Sequence, residues 1–186
     1  MKVAGFTIIK NAVVNDFPIL EAIRSILPVV DEMIVLIGDS TDETIALIES
    51  IGDPKIKIHH SVWNKALRKG GVVLADETNK ALATVPTDAD WLLYIQADEC
   101  LHERYVPMVR AAMEKYLHDD EVDALDAINN QMELLSNVIN DCKGYWCVVL
   151  WGRGLLDPLN LNQYTMDGPK DHFRIHQRTY SRKHIL

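Results

Sequence analysis

Residues 32–52 read EMIVLIGDSTDETIALIESIG, and the reading of this stretch decides the fold. Met33 to Ile37 is an unbroken apolar run closed by Gly38. That is the length and composition of a strand covered on both faces. Asp39-Ser40-Thr41-Asp42 is turn chemistry. Ser40 with Glu43 three residues on reads as a capping box, and Ile45, Ile48 and Ile51 recur at helical spacing until Gly52. A buried strand, a short polar turn and an amphipathic helix make half of a strand–helix–strand unit.

The same grammar extends in both directions. VAGFTII (3–9) is a β-branched and aromatic run. Asp16 then precedes FPILEAIRSIL (17–27), with Pro18 near the first helical position and Leu20, Ile23 and Leu27 at helical spacing. Downstream, KIKIHH (55–60) alternates with period two, GGVVLADETNKALATV (70–85) reads as a helix, and DWLLYIQ (90–96) as a fourth strand. ERYVPMVRAAMEKYL (103–117) reads as a fourth helix, its Pro107 tolerable only near the first turn, and EVDALDAI (121–128) as a fifth strand. This alternation predicts an α/β fold, a mostly parallel sheet with helices on both faces. In such sheets ligands sit beyond the carboxyl ends of the strands. Lys10-Asn11, Asp39 and Gln96-Ala97-Asp98-Glu99 all fall there.

Beyond residue 128 the alternation dissolves. NNQMELLSNVIND (129–141) has the makings of a helix, YWCVVLW (145–151) is an apolar patch among Gly, Pro and Asn, and HFRIHQRTYSRKHIL (172–186) is basic. Residues 1–128 are therefore expected to form the ligand-binding domain and 129–186 an irregular segment with no independent core. The 186 residues suit one domain. A formal charge of −8 argues against a broad nucleic-acid-binding face, which needs clustered Lys and Arg. Three cysteines make no disulfide framework and fit a reducing compartment. No run approaches the ~20 apolar residues of a membrane span, and Lys10, Asn11, Asn15 and Asp16 interrupt the start as a signal peptide. The expected location is cytoplasmic.

The chemistry concentrates where WLLYIQ (91–96) gives way to Ala97-Asp98-Glu99. Paired acids after a buried strand can simply meet water or cap the following helix. They can also hold a hard cation such as Mg²⁺ or Mn²⁺ against a substrate diphosphate, neutralising charge on a leaving phosphate.

VAGFTIIKNA, MIVLIGDSTDETIALIESI and DWLLYIQADECLHE, in this order and spacing over about residues 1–125, resemble family 2 glycosyltransferases of the GT-A fold. The resemblance implies transfer of a sugar from a nucleotide-diphosphate-sugar donor to an acceptor hydroxyl, with inversion and with Mg²⁺ or Mn²⁺. Gln96-Ala97-Asp98 stands where that family has D-x-D, so Asp98 inherits the metal and diphosphate role; Glu99, or His102 by its place four residues past Asp98, is the candidate supporting metal ligand. Gln96 replaces the first acid and brings no charge. IGDSTDET keeps Ser40, Thr41, Asp42 and Thr44 of a second signature; the family's nucleoside-contacting acid falls at Ile37 or Gly38, where this chain has none, and Asp39 stands one place later as its replacement. Asn11 matches a nucleotide-contacting position after the first strand. Arg68 and Lys69 before Gly70-Gly71 match a segment that can meet the diphosphate at a helix N-terminus. The base that deprotonates the acceptor is expected downstream; Asp123, Asp126, Asp167 and Asp171 are candidates by position alone.

Two further readings remain open: a noncatalytic, truncated or degenerate nucleotide-sugar binder, and a protein-interaction module that uses YWCVVLW as its partner surface. The motifs of P-loop hydrolases, dinucleotide-binding dehydrogenases and α/β-hydrolases are absent from the chain. His59 and His60 are adjacent in a strand and point to opposite faces, so they do not share a metal. Cys142 and Cys147 lack a second pair for zinc, and Asp171, His172 and His176 read as a polar terminal helix.

Overall fold

A computed structural model describes residues 1–67 and 72–118, together with the backbone of three later strands at 122–126, 149–152 and 175–177. Strands β1 (Val3–Ile9), β2 (Glu32–Ile37), β3 (Ile56–His60) and β4 (Trp91–Tyr94) are parallel in the order β3-β2-β1-β4. The sheet continues through β6 (Val149–Gly152), β5 (Val122–Asp126) and β7 (Ile175–Gln177), each antiparallel to its neighbour. Helices α1 (Ile19–Ile26), α2 (Thr44–Glu49), α3 (Val72–Leu82) and α4 (Val106–Tyr116) connect the first strands. The predicted α/β architecture is present, and the fifth strand forms where expected. It does not lie beside β4, because β6 is inserted between them.

Alternate residues of each strand feed separate cores, as a pleated backbone requires. Val3, Ile9, Met33, Val35, Ile37, Trp91, Leu93 and Ile95 pack with Ile19, Ile23 and Ile26 of α1 and Val109 and Met113 of α4. Ala4, Phe6, Ile8, Ile34, Leu36 and Leu92 pack on the other face with Ala81 of α3. α1 buries Ile19, Ala22, Ile23 and Ile26, the i, i+3, i+4, i+7 stripe of an amphipathic helix. Each of the buried isoleucines contributes about 1.5–3 kcal/mol by leaving water.

Beyond α1 the chain leaves carbonyls that the helix cannot satisfy. Lys55 Nζ donates to Leu27 O and Val30 O at 2.9 and 2.8 Å, and Arg110 donates to Pro28 O at 3.1 Å. Both cations also complement the negative end of the helix dipole. α4 follows a single 3-10 turn at Glu103–Tyr105 and carries Pro107 in its first turn, where no intrahelical N–H is needed.

Two expectations change. Ser40 and Glu43 form no capping box: α2 begins at Thr44, Glu43 makes no side-chain cap, and Asp42 accepts from Thr44 N instead. Residues 175–177 are strand β7, not part of a terminal helix, because Ile175 and His176 pair with Leu125 and Ala124. The helix expected at 129–141 and residues Cys142, Cys147, Tyr145 and Trp146 lie outside the described residues. Among the described residues no helix is long and apolar enough to cross a membrane.

Candidate functional site at the carboxyl edge of the sheet

Parallel pairing brings the carboxyl ends of β1, β2, β3 and β4 to one edge. Ile9, Ile37 and His60 are register partners in turn, and Phe6 pairs with Tyr94. The backbone stays knitted just past these ends: Gly38 N donates to Ile9 O at 2.8 Å, Ser61 N to Ile37 O at 2.9 Å, and Ile95 N to Phe6 O at 3.2 Å.

The turns after β1 and β2 are bonded to each other. Asn11 N donates to Ser40 Oγ (3.0 Å), Ala12 N to Thr44 Oγ1 (2.7 Å), Val14 N to Asp42 Oδ2 (2.9 Å), and Thr41 N to Asn11 Oδ1 (2.8 Å). Asn11 has φ +53°, a left-handed conformation that Asn tolerates better than most residues. Thus Asn11, Ser40, Asp42 and Thr44 serve first to weld two loops into one surface. Desolvation pushes the Asp42 carboxyl up, but bonds from Thr44 and Val14 outweigh it and hold it below the usual range.

Asp39 lies beside this weld, partly exposed. It takes the Lys10 ammonium in a short ion pair and the Trp63 N–H at 3.2 Å. The bond from Lys10, then that from Trp63, lower its carboxyl from 3.8 to about 2. The Lys10 ammonium also lies 5.7 Å from the centre of the Trp63 ring. The ring itself rests on Gly38, where an added Cβ would come within 2.4 Å of the indole nitrogen. Trp63 had no signal in the sequence. What placed it here is the β2–β3 register together with a glycine one position past β2.

At the tip of β4 the two adjacent acids part company. Glu99 is 3% exposed and turned inward, accepting Gln96 N at 2.8 Å while its own N–H returns to Gln96 O at 3.2 Å. Asp98 is exposed at the apex of that turn. The chain is then fixed again, with Leu101 N donating to Ser25 Oγ of α1 at 2.9 Å. His102 Nδ1 accepts Arg104 N at 3.2 Å and so caps the 3-10 turn. The same nitrogen lies 3.2 Å from Glu103 Oε2, so the contacts of this ring nitrogen are made within the turn. Among the described residues no three His, Cys, Asp or Glu side chains converge as a metal cage. A diphosphate-borne Mg²⁺ does not need one, because it is held by one or two carboxylates plus phosphate oxygens and water. An exposed carboxylate on a braced turn fits that demand.

Asp123 and Asp126 belong to β5, described by its backbone. β6 is antiparallel to both neighbours, so β5 runs in the direction of β4. Val149 pairs with Tyr94 on one side and Asp126 on the other. The Asp126 backbone is therefore level with the end of β4, while Asp123 is three residues further from that edge. Arg68, Lys69, Asp167 and Asp171 lie outside the described residues.

The family model described as Glycosyl transferase family 2 matches residues 16–185. Two curated relatives, each an uncharacterized glycosyltransferase, come from Rickettsia felis and Rickettsia bellii and are 30% and 29% identical over 135 residues. The match takes in 73% of this chain but only 38% and 36% of theirs. Among solved structures, the mannosyltransferase PcManGT from Pyrobaculum calidifontis, in complex with GDP-Man and Mn²⁺, aligns with TM-score 0.57 and 20% identity. That alignment covers 86% of this chain and 46% of the other. Glucosyl-3-phosphoglycerate synthase of Mycobacterium tuberculosis, with Mn²⁺, UDP and phosphoglyceric acid, aligns with TM-score 0.50 and 18% identity over 83% of this chain and 56% of its own. These structural likenesses establish the GT-A-like fold, and the match across residues 16–185 establishes the lineage: the chain belongs to glycosyl transferase family 2.

Proposed function

We propose that this chain binds a nucleotide-diphosphate-sugar at the carboxyl edge of β1, β2 and β4 and supports transfer of the sugar to an acceptor hydroxyl with inversion. The observation that carries the reading is the division of labour at the β4 tip, where Glu99 closes the turn and Asp98 faces outward. Asp98 holds Mg²⁺ or Mn²⁺ together with the donor phosphates. Bound there, the cation offsets the negative charge that develops on the leaving diphosphate. Glu99 and His102 brace the turn and the capped segment behind it. Asn11 and Asp39 meet the nucleoside, and Gln96 offers an uncharged polar group beside Asp98. Arg68 and Lys69 meet the phosphates.

In the transfer step the acceptor oxygen attacks the anomeric carbon as the bond to the nucleoside diphosphate breaks, and a carboxylate takes the hydroxyl proton. Asp126 is that base. The sheet register supports it over Asp123, since only Asp126 is level with the end of β4. The family lineage supports the reaction class, and the mannosyltransferase of like fold supports a cation at such a site. A cytoplasmic location completes the proposal.

The test is thermal denaturation and calorimetry with UDP, GDP and their sugar conjugates, with and without Mn²⁺. Stabilisation by one nucleotide that needs Mn²⁺ and disappears in Asp98→Ala is expected. No shift with any donor, or a full shift in Asp98→Ala, overturns the assignment.

A further inference from the structure

We infer that Trp63 is a positioning residue for the nucleoside end of this site: its ring and backbone fix the Lys10–Asp39 pair in place. The inference rests on the donor reading for what the pair does, and on geometry for how it is held. A lysine at a loop edge ordinarily samples many rotamers, and fixing it costs conformational entropy. Here Lys10 is gripped from two sides, by the Asp39 carboxylate and by the face of the Trp63 ring at 5.7 Å. Asp39 is gripped twice as well, because the oxygen that takes the Lys10 ammonium also accepts the Trp63 N–H at 3.2 Å.

Trp63 is itself built in. Its ring lies on the backbone at Gly38, where a Cβ would meet Nε1 at 2.4 Å, Cδ1 at 2.6 Å and Cε2 at 3.1 Å. The residue two before it, Ser61, is bonded through its N–H to Ile37 O at 2.9 Å and through Oγ to Glu77 at 2.5 Å. Glu77 is fully buried on α3 and also takes Lys80 at 2.7 Å. The loop that delivers Trp63 is thus tied to both β2 and α3. The indole N–H has no partner among the described residues although it is buried. Packing alone is served better by phenylalanine, which carries no such group. What the larger ring adds is reach, covering Gly38 and Lys10 together.

Three variants of the full chain test this: Trp63→Phe, Trp63→Leu and Gly38→Ala. Two readouts are used, calorimetric binding of UDP and of GDP with Mn²⁺, and carbon-13 NMR titration of the Asp39 carboxyl without ligand. Loss of the ring face in Trp63→Leu, or its displacement in Gly38→Ala, is expected to weaken nucleotide binding about tenfold. In both variants the Asp39 midpoint moves up from about 2 toward 3.8. Trp63→Phe keeps an aromatic face but not the reach over Gly38 and Lys10 together, so its binding and its Asp39 midpoint fall between those of the parent and of Trp63→Leu. In the double variant Gly38→Ala/Trp63→Ala the new methyl has no ring to strike, so it recovers the fold if Gly38→Ala alone misfolds. An unmoved Asp39 midpoint in Trp63→Leu overturns the inference. If no nucleotide binds the parent chain the donor reading fails, and the ligand-free titration still decides whether Trp63 positions the pair.

Discussion

Asp98→Ala and Glu99→Ala, one position apart, should have opposite phenotypes. Glu99 is 3% exposed and accepts the Gln96 N–H at 2.8 Å, so truncating it leaves that donor without its carboxylate partner and opens space behind the turn. The expected loss is about 1–3 kcal/mol. For a chain of this size that lowers the melting temperature by roughly 2–12 °C, at about 2–4 °C per kcal/mol. Asp98 is exposed, and its removal should change stability by no more than about 0.5 kcal/mol, or about 2 °C. The order reverses when ligand is added. A nucleotide with Mn²⁺ at 100 times its dissociation constant stabilises the parent by about 2.7 kcal/mol, roughly 5–11 °C. Asp98→Ala should lose that increment, whereas Glu99→Ala keeps a measurable part of it from its lower baseline. Scanning calorimetry of the three chains, with and without ligand, reads all of this directly. An Asp98→Ala protein that melts as low as Glu99→Ala without ligand, or that keeps the full Mn²⁺-dependent increment, would refute the division of roles.

Three other outcomes follow from the geometry. Gly5→Ala places a methyl 2.8 Å from Met33 Sδ and 3.0 Å from Val30 Cγ1, and should cost about 1–3 kcal/mol by denaturant titration without altering nucleotide affinity. In Lys10→Gln the Asp39 carboxyl, held at about 2 chiefly by Lys10, should titrate nearer 3.8. Because its folded value is depressed, the stability it contributes is complete above 3.8 and lost as pH falls through about 2, so the variant's stability-against-pH curve should be flatter across that window. Asp126→Asn should lower sugar transfer by about 10²–10⁴-fold with donor binding intact, while Asp123→Asn retains activity in the same product assay.

The parallel half of the sheet was legible because buried strands must be apolar on both faces: VAGFTII, EMIVLIG and DWLLYIQ contain little else. Helix α1 was legible as a helix, but of Leu20, Ile23 and Leu27 only Ile23 is fully buried, and the buried stripe runs through Ile19, Ala22, Ile23 and Ile26. The site was legible as a place, since strand ends and polar residues coincide, but less so as a set of roles. Ser40 and Glu43 match a capping box in spacing, yet Ser40 Oγ is taken by Asn11 N from another loop, a partner that local sequence cannot reveal. Adjacent acids at 98 and 99 look alike in sequence, and only the closed turn tells the inward one from the outward one. Trp63 and the buried Glu77 acquire their roles from contacts with residues distant along the chain, so no local pattern announced them. The apolar patch YWCVVLW carried no period that fixed its element, and its last residues turned out to supply β6.

The insertion of β6 between β4 and β5 has a consequence for how the protein is made. When Tyr94 leaves the ribosome, β1, β2 and β3 can already stack beside β4, but the far side of β4 shows bare amides and carbonyls. Its partner at Val149 has not yet been translated. At ordinary elongation rates that open flank persists for roughly 3–11 s. Throughout that interval the nascent chain carries a sticky hydrogen-bonding margin, so its yield in cells should depend on chaperone supply and on elongation speed across residues 95–152.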